Sequence, residues 1–280
     1  RSFVFPMTCT IGTEVMPRIL HAISVGSRFL ERPMPDSFLI LPFLRESAAV
    51  NMATDLWFFQ EHPDASLARF RHFAWNRPSV TFGYGQDFVW VLEETKCAEI
   101  DLCRRPTGGG IVKHGEDWTY SLAFPPSHRV CEGSASEVYL HVHRAISVSL
   151  AKCGVDTDLL SCKKGTCSST SRKVIPGQCF LEPVARDVIL SATDSKIAGA
   201  AIKRTRAGLL LQGTIDMQSL PEVNWNFFET LFLAELSAYI GAEPKLAEWP
   251  QSFEDSRKPY VEQFTSTGWL RERKGSLSQK

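Results

Sequence analysis

The stretch CRRPTGGGIVKHGEDWTYS, Cys103 to Ser121, sets two arginines and a run of three glycines ahead of a histidine and an alternating apolar tail. Consecutive glycines cost conformational entropy on folding, so such a run belongs where the backbone takes unusual torsions or approaches another group closely. Its free N–H groups can form a concave binder of an anion or carbonyl, and Arg104 and Arg105 add planar charged donors. The run lacks the Gly-Lys-Ser/Thr ending of a phosphate loop, and by itself it reads first as an ordinary tight turn.

Around it, the pattern alternates between strand and helix. FLILPFL reads as a buried first strand, and ESAAVNMATDLWFFQEH as a helix with Ala49, Met52, Leu56 and Phe59 on one face. PSVTFGYGQ reads as a β-branched strand running into glycines, and DWTYSLAF as a strand with Trp118, Tyr120, Leu122 and Phe124 sharing a side. A capping box, Ser134 with Glu137, opens a helix whose apolar positions are Val138, Val142, Ile146 and Leu150, and Gly154 ends it. SCKKGTCSSTSRK reads as a mobile polar loop. DVIL, KIAGAAI and GLLLQGTI then form an antiparallel meander, and helices near Asn226–Ile240 and Phe253–Phe264 follow. This is an α+β pattern, a mixed and largely antiparallel sheet flanked by helices, without regular βαβ repeats.

Composition excludes several functions. Lys plus Arg and Asp plus Glu each total 31, so no net field recruits nucleic acid or an anionic membrane. The apolar runs are interrupted by Pro42, Glu229 or Glu235 and fall short of the roughly 20 residues that span a bilayer. The eight cysteines are spread through a large domain and read as mostly reduced thiols. Cys162 and Cys167 lack the further close ligands of a structural zinc site, and His141 and His143, two apart on a helix, do not share a metal-binding face. Both histidines read as surface or partly buried. Residues 1–36 read as an N-terminal extension, a trimmed leader or a flexible arm, ahead of a catalytic domain over 37–280. The expected location is the cytoplasm, or an organellar matrix if the extension is a leader remnant.

Four blocks in order, NMATD (Asn51–Asp55), VTFGYGQ (Val80–Gln86), RRPTGGGIVKH (Arg104–His114) and KIAGAAIKR with LLLQGTI (Lys196–Ile215), resemble the biotin/lipoate protein ligase superfamily in its lipoate ligase and octanoyltransferase branch. The resemblance implies a fold akin to the catalytic cores of class II synthetases. It also implies an acyl or lipoyl slot built by Arg105, Thr107, Gly108, Gly109, Gly110, His114 and Gly199, with Gly83, Tyr84 and Gln86 lining the same tunnel. Glycines suit such a slot because backbone can then pack directly against an alkyl chain. His114 is a candidate general base by its ordinary titration range, or else a histidine satisfying backbone at a strand end. Lys196 is expected at the acyl carbonyl, where a fixed ammonium stabilises developing negative charge.

Two reactions remain open under the resemblance. A transferase moves octanoyl from acyl carrier protein through a cysteine thioester to a lysine of a lipoyl-domain protein, such as glycine cleavage H protein, without a cofactor. A ligase activates lipoate with ATP and Mg. Cys179 in PGQCFLEPVARDVIL is the nucleophile candidate, its thiol favoured as thiolate by a nearby Lys196, with a buried structural cysteine as the plain alternative. HGEDWTYS lacks the asparagine that ligases place after the histidine, and Gln212 stands where ligases often have a histidine. A protein that binds acyl groups or lipoyl domains without turnover is the third reading.

Overall fold

The computed structural model describes residues 37–96, 101–161 and 184–277. In chain order the elements are β1 (Phe38–Glu46), α1 (Ala48–Gln60), β2 (Ala68–Trp75), β3 (Ser79–Phe82), α2 (Phe88–Thr95), β4 (Asp101–Arg104), β5 (Val112–His114) and β6 (Asp117–Phe124). There follow α3 (Ala135–Lys152), β7 (Thr157–Leu159), β8 (Val188–Leu190), β9 (Lys196–Thr205), β10 (Gly208–Asp216), α4 (Trp225–Ile240), β11 (Pro244–Leu246), α5 (Phe253–Thr265) and α6 (Thr267–Glu272). Every helix and strand expected from periodicity is present. β2, β4, β5, β7, β11, α2 and α6 carry weaker patterns and emerge only in the structure. Cys162, Cys167, Cys179 and the polar loop around the first two lie outside the described residues, as does the expected N-terminal extension.

An eight-stranded mixed sheet runs in the order β11-β1-β2-β6-β10-β9-β8-β7, and β4-β3-β5 form a smaller sheet. β1 and β2 are parallel and joined through α1, whereas β2, β6, β10, β9 and β8 pair antiparallel. Alternation along the strands divides the core between the two faces. Trp118, Tyr120, Leu122 and Phe124 of β6 face one side with Leu209, Leu211 and Ile215 of β10, and pack under α3 and α4. The other side carries Phe73, Trp75, Ala123 and Leu210 beneath α1, α5 and α6. α1 is buried nearly all round, from Asn51 through Phe59, and not along one face, because the sheet and α5 both cover it.

The α3 capping box forms as the sequence predicts, with Ser134 accepting from the Glu137 N–H and Glu137 accepting from the Ser134 N–H. Such boxes satisfy donors that a helix start leaves open. Val138, Val142, Ile146 and Leu150 are fully buried. Among the described residues no helix is long and apolar enough to cross a membrane.

Beneath α1 lies a buried polar chain. Arg71 of β2 donates to Asp55 of α1 at 2.6 Å and to the Asn51 carbonyl at 2.9 Å, with both charged side chains essentially inaccessible. Burial pushes the Arg71 guanidinium below its ordinary range, and Asp55 opposes that shift. Gln212 of β10 donates to the second oxygen of Asp55 at 2.5 Å and accepts from Thr107 at 2.6 Å. Removing one member leaves a buried charge uncompensated, at a cost of about 3–5 kcal/mol, whereas replacing both with apolar residues of similar volume is far milder. Asp55→Ala is therefore expected to lower the urea unfolding midpoint more than the double substitution Asp55→Leu/Arg71→Met does.

Candidate functional site

The glycine loop rests on a close backbone contact. A β-carbon at Gly83 would lie 2.0 Å from the Gly109 carbonyl oxygen, and Gly109 itself takes φ +89°, where a side chain is strained. Two backbone hydrogen bonds fasten this approach: the Arg105 N–H donates to Phe82 O and the Tyr84 N–H to Thr107 O, both at 2.8 Å. Gln86 closes the turn below by accepting from the Gly83 N–H at 2.8 Å.

The two arginines divide the work. Arg105, buried, donates to Thr81 Oγ1 and to the carbonyls of Gly108 and Gly110, holding the loop curled around its own guanidinium. Arg104 turns away and donates to the carbonyls of Tyr84, Gln86, Leu270 and Arg271, which binds the loop's base to the C-terminal helices.

Between the loop and the α1 side of the large sheet lies a narrow cavity of about 40 Å³, lined largely by apolar surface. Met52, Phe73, Trp75, Val112, Ala200 and Ala201 supply apolar walls, with Thr81, Arg105, Gly109, His114, Thr119, Gly199, Gln212, Gly213 and Thr214 completing them. Of the residues expected at an acyl slot, Arg105, Gly109, His114 and Gly199 line it. Gly83, Tyr84, Gln86, Thr107, Gly108 and Gly110 brace the loop instead of facing the cavity, and the physical reason is the hydrogen bonding just described. Sequence reasoning missed Thr81, Phe73, Trp75, Thr119 and Thr214 as wall residues. For Thr119 the signal was the strand alternation of β6, which puts it opposite Trp118 and Tyr120.

At one end of the cavity sits a polar relay. His114 Nδ1 lies 2.7 Å from Asp117 and Nε2 lies 2.7 Å from the Thr81 hydroxyl, which accepts from Arg105 at 2.8 Å. These contacts are all satisfied when Nδ1–H donates to Asp117 and the Thr81 hydroxyl donates to Nε2. Trp75 stacks on the imidazole with ring centroids 3.9 Å apart, and its indole N–H donates to Thr119. Thr119 and Thr214 both donate to Asp117 at 2.6 Å. Burial pushes the Asp117 carboxyl up, but His114 beside it and the hydrogen bonds from His114, Thr119 and Thr214 outweigh that and hold the carboxyl well below its ordinary range. With both nitrogens engaged, His114 fits the role of an organiser of the cavity wall.

Lys196 is not part of that lining. Its ammonium lies 2.8 Å from Asp187, both groups being buried. Asp187 also accepts from the Val184 N–H at 2.6 Å and from the Tyr139 hydroxyl. His143, fully buried where the sequence read it as surface or partly buried, lies against the tilted Tyr139 ring and 2.7 Å from the Arg186 carbonyl. Burial pushes its imidazole down to about 4. His141 is exposed and stacks on Tyr239. The lysine expected at the acyl carbonyl is thus clamped at the start of β9. Among the described residues no cluster of metal-binding side chains occurs.

Comparison with known proteins now bears on this arrangement. The family model of the lipoyl protein ligase A/B catalytic domain matches residues 47–255. The chain belongs to that family. Among lipoyl ligase relatives, an octanoyltransferase LipM of Oceanobacillus iheyensis is 28% identical over 199 residues, 70% of this chain and 70% of its own length. That of Carboxydothermus hydrogenoformans is 29% identical over 174 residues, covering 60% and 61%. The alignments thus span about two thirds of the relatives' lengths. A bi-partite lipoate protein ligase of Thermoplasma acidophilum, described with its E2 lipoyl domain, superposes with a TM-score of 0.63 at 15% identity over 86% of this chain and 98% of that one. A lipoate-protein ligase A bound with ATP gives 0.65 at 15% identity, over 84% and 98%. These structures establish the family's fold for the chain.

Two outcomes are expected. Gly83→Ala drives a methyl into the Gly109 carbonyl and displaces the loop, which limited proteolysis detects as faster cleavage between residues 104 and 114. Asp117 has a folded value below its unfolded one near about 3.9, so its contribution is present above that value and is lost as pH falls through the folded one. The stability gap between wild type and Asp117→Asn, read from urea unfolding, is therefore widest above about pH 5 and narrows on acidification below about pH 4.

Proposed function

We propose that this chain is an octanoyltransferase that carries the acyl group on Cys179. The observation that carries the reading is the likeness to relatives named octanoyltransferase, within a family whose match, residues 47–255, includes the glycine loop and the strand of Lys196. The site's chemistry supports it, since a narrow apolar cavity walled by glycine and alanine backbone suits an unbranched alkyl chain. Ligand pockets are usually about 300–1,000 Å³, so admission of that chain requires the walls to part. Met52, unbranched and flexible, is the wall residue best able to yield.

In the reaction, the Cys179 thiolate attacks the carbonyl of an octanoyl thioester on acyl carrier protein. A new carbon–sulfur bond forms, the carrier's sulfur leaves and takes up a proton, and octanoyl-Cys179 remains. The amine of a lysine on a lipoyl domain, such as that of glycine cleavage H protein, then attacks. Its nitrogen gains the acyl group and loses a proton, and the Cys179 sulfur is released. Lys196, clamped by Asp187 a short way along the chain from Cys179, supplies fixed positive charge to the thiolate and the developing oxyanion. Arg105, Gly109, His114 and Gly199 surround the acyl chain, while Gly83, Tyr84, Gln86, Thr107, Gly108 and Gly110 hold the loop. No cofactor enters. Residues 37–280 form the catalytic unit with 1–36 as its extension, working in the cytoplasm or an organellar matrix.

The ligase reading is favoured by the solved structures of the same fold, one of which binds ATP. A nucleotide's phosphates need donors, and the guanidinium at this cavity, Arg105, is taken up by Thr81 and the loop carbonyls.

Intact-protein mass spectrometry after mixing with octanoyl-acyl carrier protein, without ATP, is expected to show an octanoyl adduct. The adduct is absent in Cys179→Ala and is chased from wild type onto a lipoyl domain. Lipoate transfer that requires ATP, with no adduct, would overturn the reading in favour of the ligase.

A further inference from the structure

On the α3 side of the large sheet, three polar side chains of one helix hold a single short piece of backbone. Ser136, Tyr139 and His143 stand three and four residues apart in α3, a spacing that sets them in a row along one side of the helix. All three reach Arg186 and Asp187, just ahead of β8. Ser136 accepts from the Arg186 guanidinium through its carbonyl and its hydroxyl, the Tyr139 hydroxyl donates to Asp187, and His143 Nδ1 lies 2.7 Å from the Arg186 carbonyl. A carbonyl only accepts, so the imidazole donates there from Nδ1. Burial keeps that ring uncharged near neutral pH, and it adds no second cation beside Lys196.

The grip holds a conformation that the segment does not favour by itself. Arg186 takes φ +74°, in the left-handed region that costs a residue with a side chain. Backbone bonds pin the same place: the Arg186 N–H donates to Leu160 O at 2.8 Å, and the Leu160 N–H to Asp187 O at 2.9 Å. The outcome is a fully buried carboxylate with both oxygens assigned. Oδ1 accepts from Tyr139, while Oδ2 accepts from the Val184 N–H at 2.6 Å and lies 2.8 Å from the Lys196 ammonium. The Tyr139 hydroxyl has a second contact, accepting from the Ala200 N–H at 3.4 Å. Ala200 lines the cavity and stands four residues after Lys196 on β9. One hydroxyl therefore touches both the counter-ion of the lysine and the wall of the cavity.

Resting on the transferase reading, we propose that Asp187 and Tyr139 are positioning residues for Lys196. Asp187 aims the ammonium, Tyr139 registers it against the cavity wall at Ala200, and Ser136 and His143 hold the strained segment that carries the carboxylate. The need for such a device follows from the lysine itself, a compact charge on a flexible four-carbon stem with no preferred direction of its own. With Oδ1 taken by Tyr139, Oδ2 is the oxygen left to the lysine, and the pair keeps one geometry. A charge fixed in advance does not have to reorient when negative charge develops on the thioester carbonyl. Tyr139 acts through Asp187 and Ala200, at one remove from the reacting atoms.

The decisive variant is Tyr139→Phe, which removes one oxygen and keeps the ring that lies against His143. Asp187→Asn, which takes the carboxylate from a buried ammonium, is the harsher one. Each full chain is mixed with octanoyl-acyl carrier protein over a range of concentrations, and the octanoyl adduct is followed by rapid-quench mass spectrometry, which gives a maximal acylation rate and a half-saturating donor concentration. Tyr139→Phe is expected to lower the maximal rate by about tenfold to a hundredfold, the scale of a lost hydrogen bond to a charged group or a small misplacement, with the half-saturating concentration unchanged. Proton–nitrogen correlation spectra of the lysine ammonium groups supply a readout apart from turnover. A Lys196 signal, identified by its loss in Lys196→Arg, is expected in wild type and is shifted or broadened in Tyr139→Phe. A wild-type rate in Tyr139→Phe, a loss confined to the half-saturating concentration, or a Lys196 signal that is absent from wild type or unmoved by the substitution overturns the positioning role while leaving the transferase intact. Failure of wild type to form the adduct overturns the transferase reading itself, and the positioning role with it.

Discussion

Gln212 is held between Thr107 of the glycine loop and Asp55 of α1, and through that one side chain the loop, the helix and the sheet act on each other. Its amide suits the post. The carbonyl takes the threonine hydroxyl, while the nitrogen donates to the carboxylate that Arg71 already neutralises. A buried charged pair with a polar extension contributes little net stability compared with apolar packing. What it supplies is a fixed relation between β10, α1 and the loop, and the cavity lies between those parts.

A second layer of fixation works through backbone. Gly83 permits the approach to the Gly109 carbonyl, and Arg105 fills the inside of the loop with donors aimed at its carbonyls. The loop is therefore shaped from within by its own arginine. The same guanidinium reaches Thr81, and from there the relay runs to His114 and Asp117. One side chain thus couples loop conformation to the polar end of the cavity. Preorganisation of this kind matters for acyl transfer, since the groups around the reacting carbonyl do not have to reorient when charge develops.

The cavity wall is largely glycine, alanine, aromatic and threonine; Lys196 is clamped at the start of β9 by Asp187, and Lys203, over the Tyr84 ring, lies further along the same strand. β9 runs through all of these, with Lys196 at its head, Gly199 and Ala201 in the cavity wall and Lys203 near its end. Its small residues keep the middle open, and its lysines mark the two ends.

Much of this was legible in the chain alone. Alternation along DWTYSLAF and GLLLQGTI, the capping box at Ser134 and the order of the four motif blocks determined the strands, the long helix and the family, because these signals are local and periodic. The glycine run announced a close backbone approach without naming its partner. Only the tertiary structure decided that the partner is Gly83, that Arg104 and Arg105 point apart, and that Tyr84 and Gln86 brace the loop while Thr119 and Thr214 join Asp117 at the cavity. It likewise placed Lys196 on Asp187 and buried His143 fully, where the sequence read it as surface or partly buried. The reason is physical: periodicity tells which face of a strand or helix a residue occupies, whereas hydrogen-bond partners distant in sequence follow from how those faces are brought together.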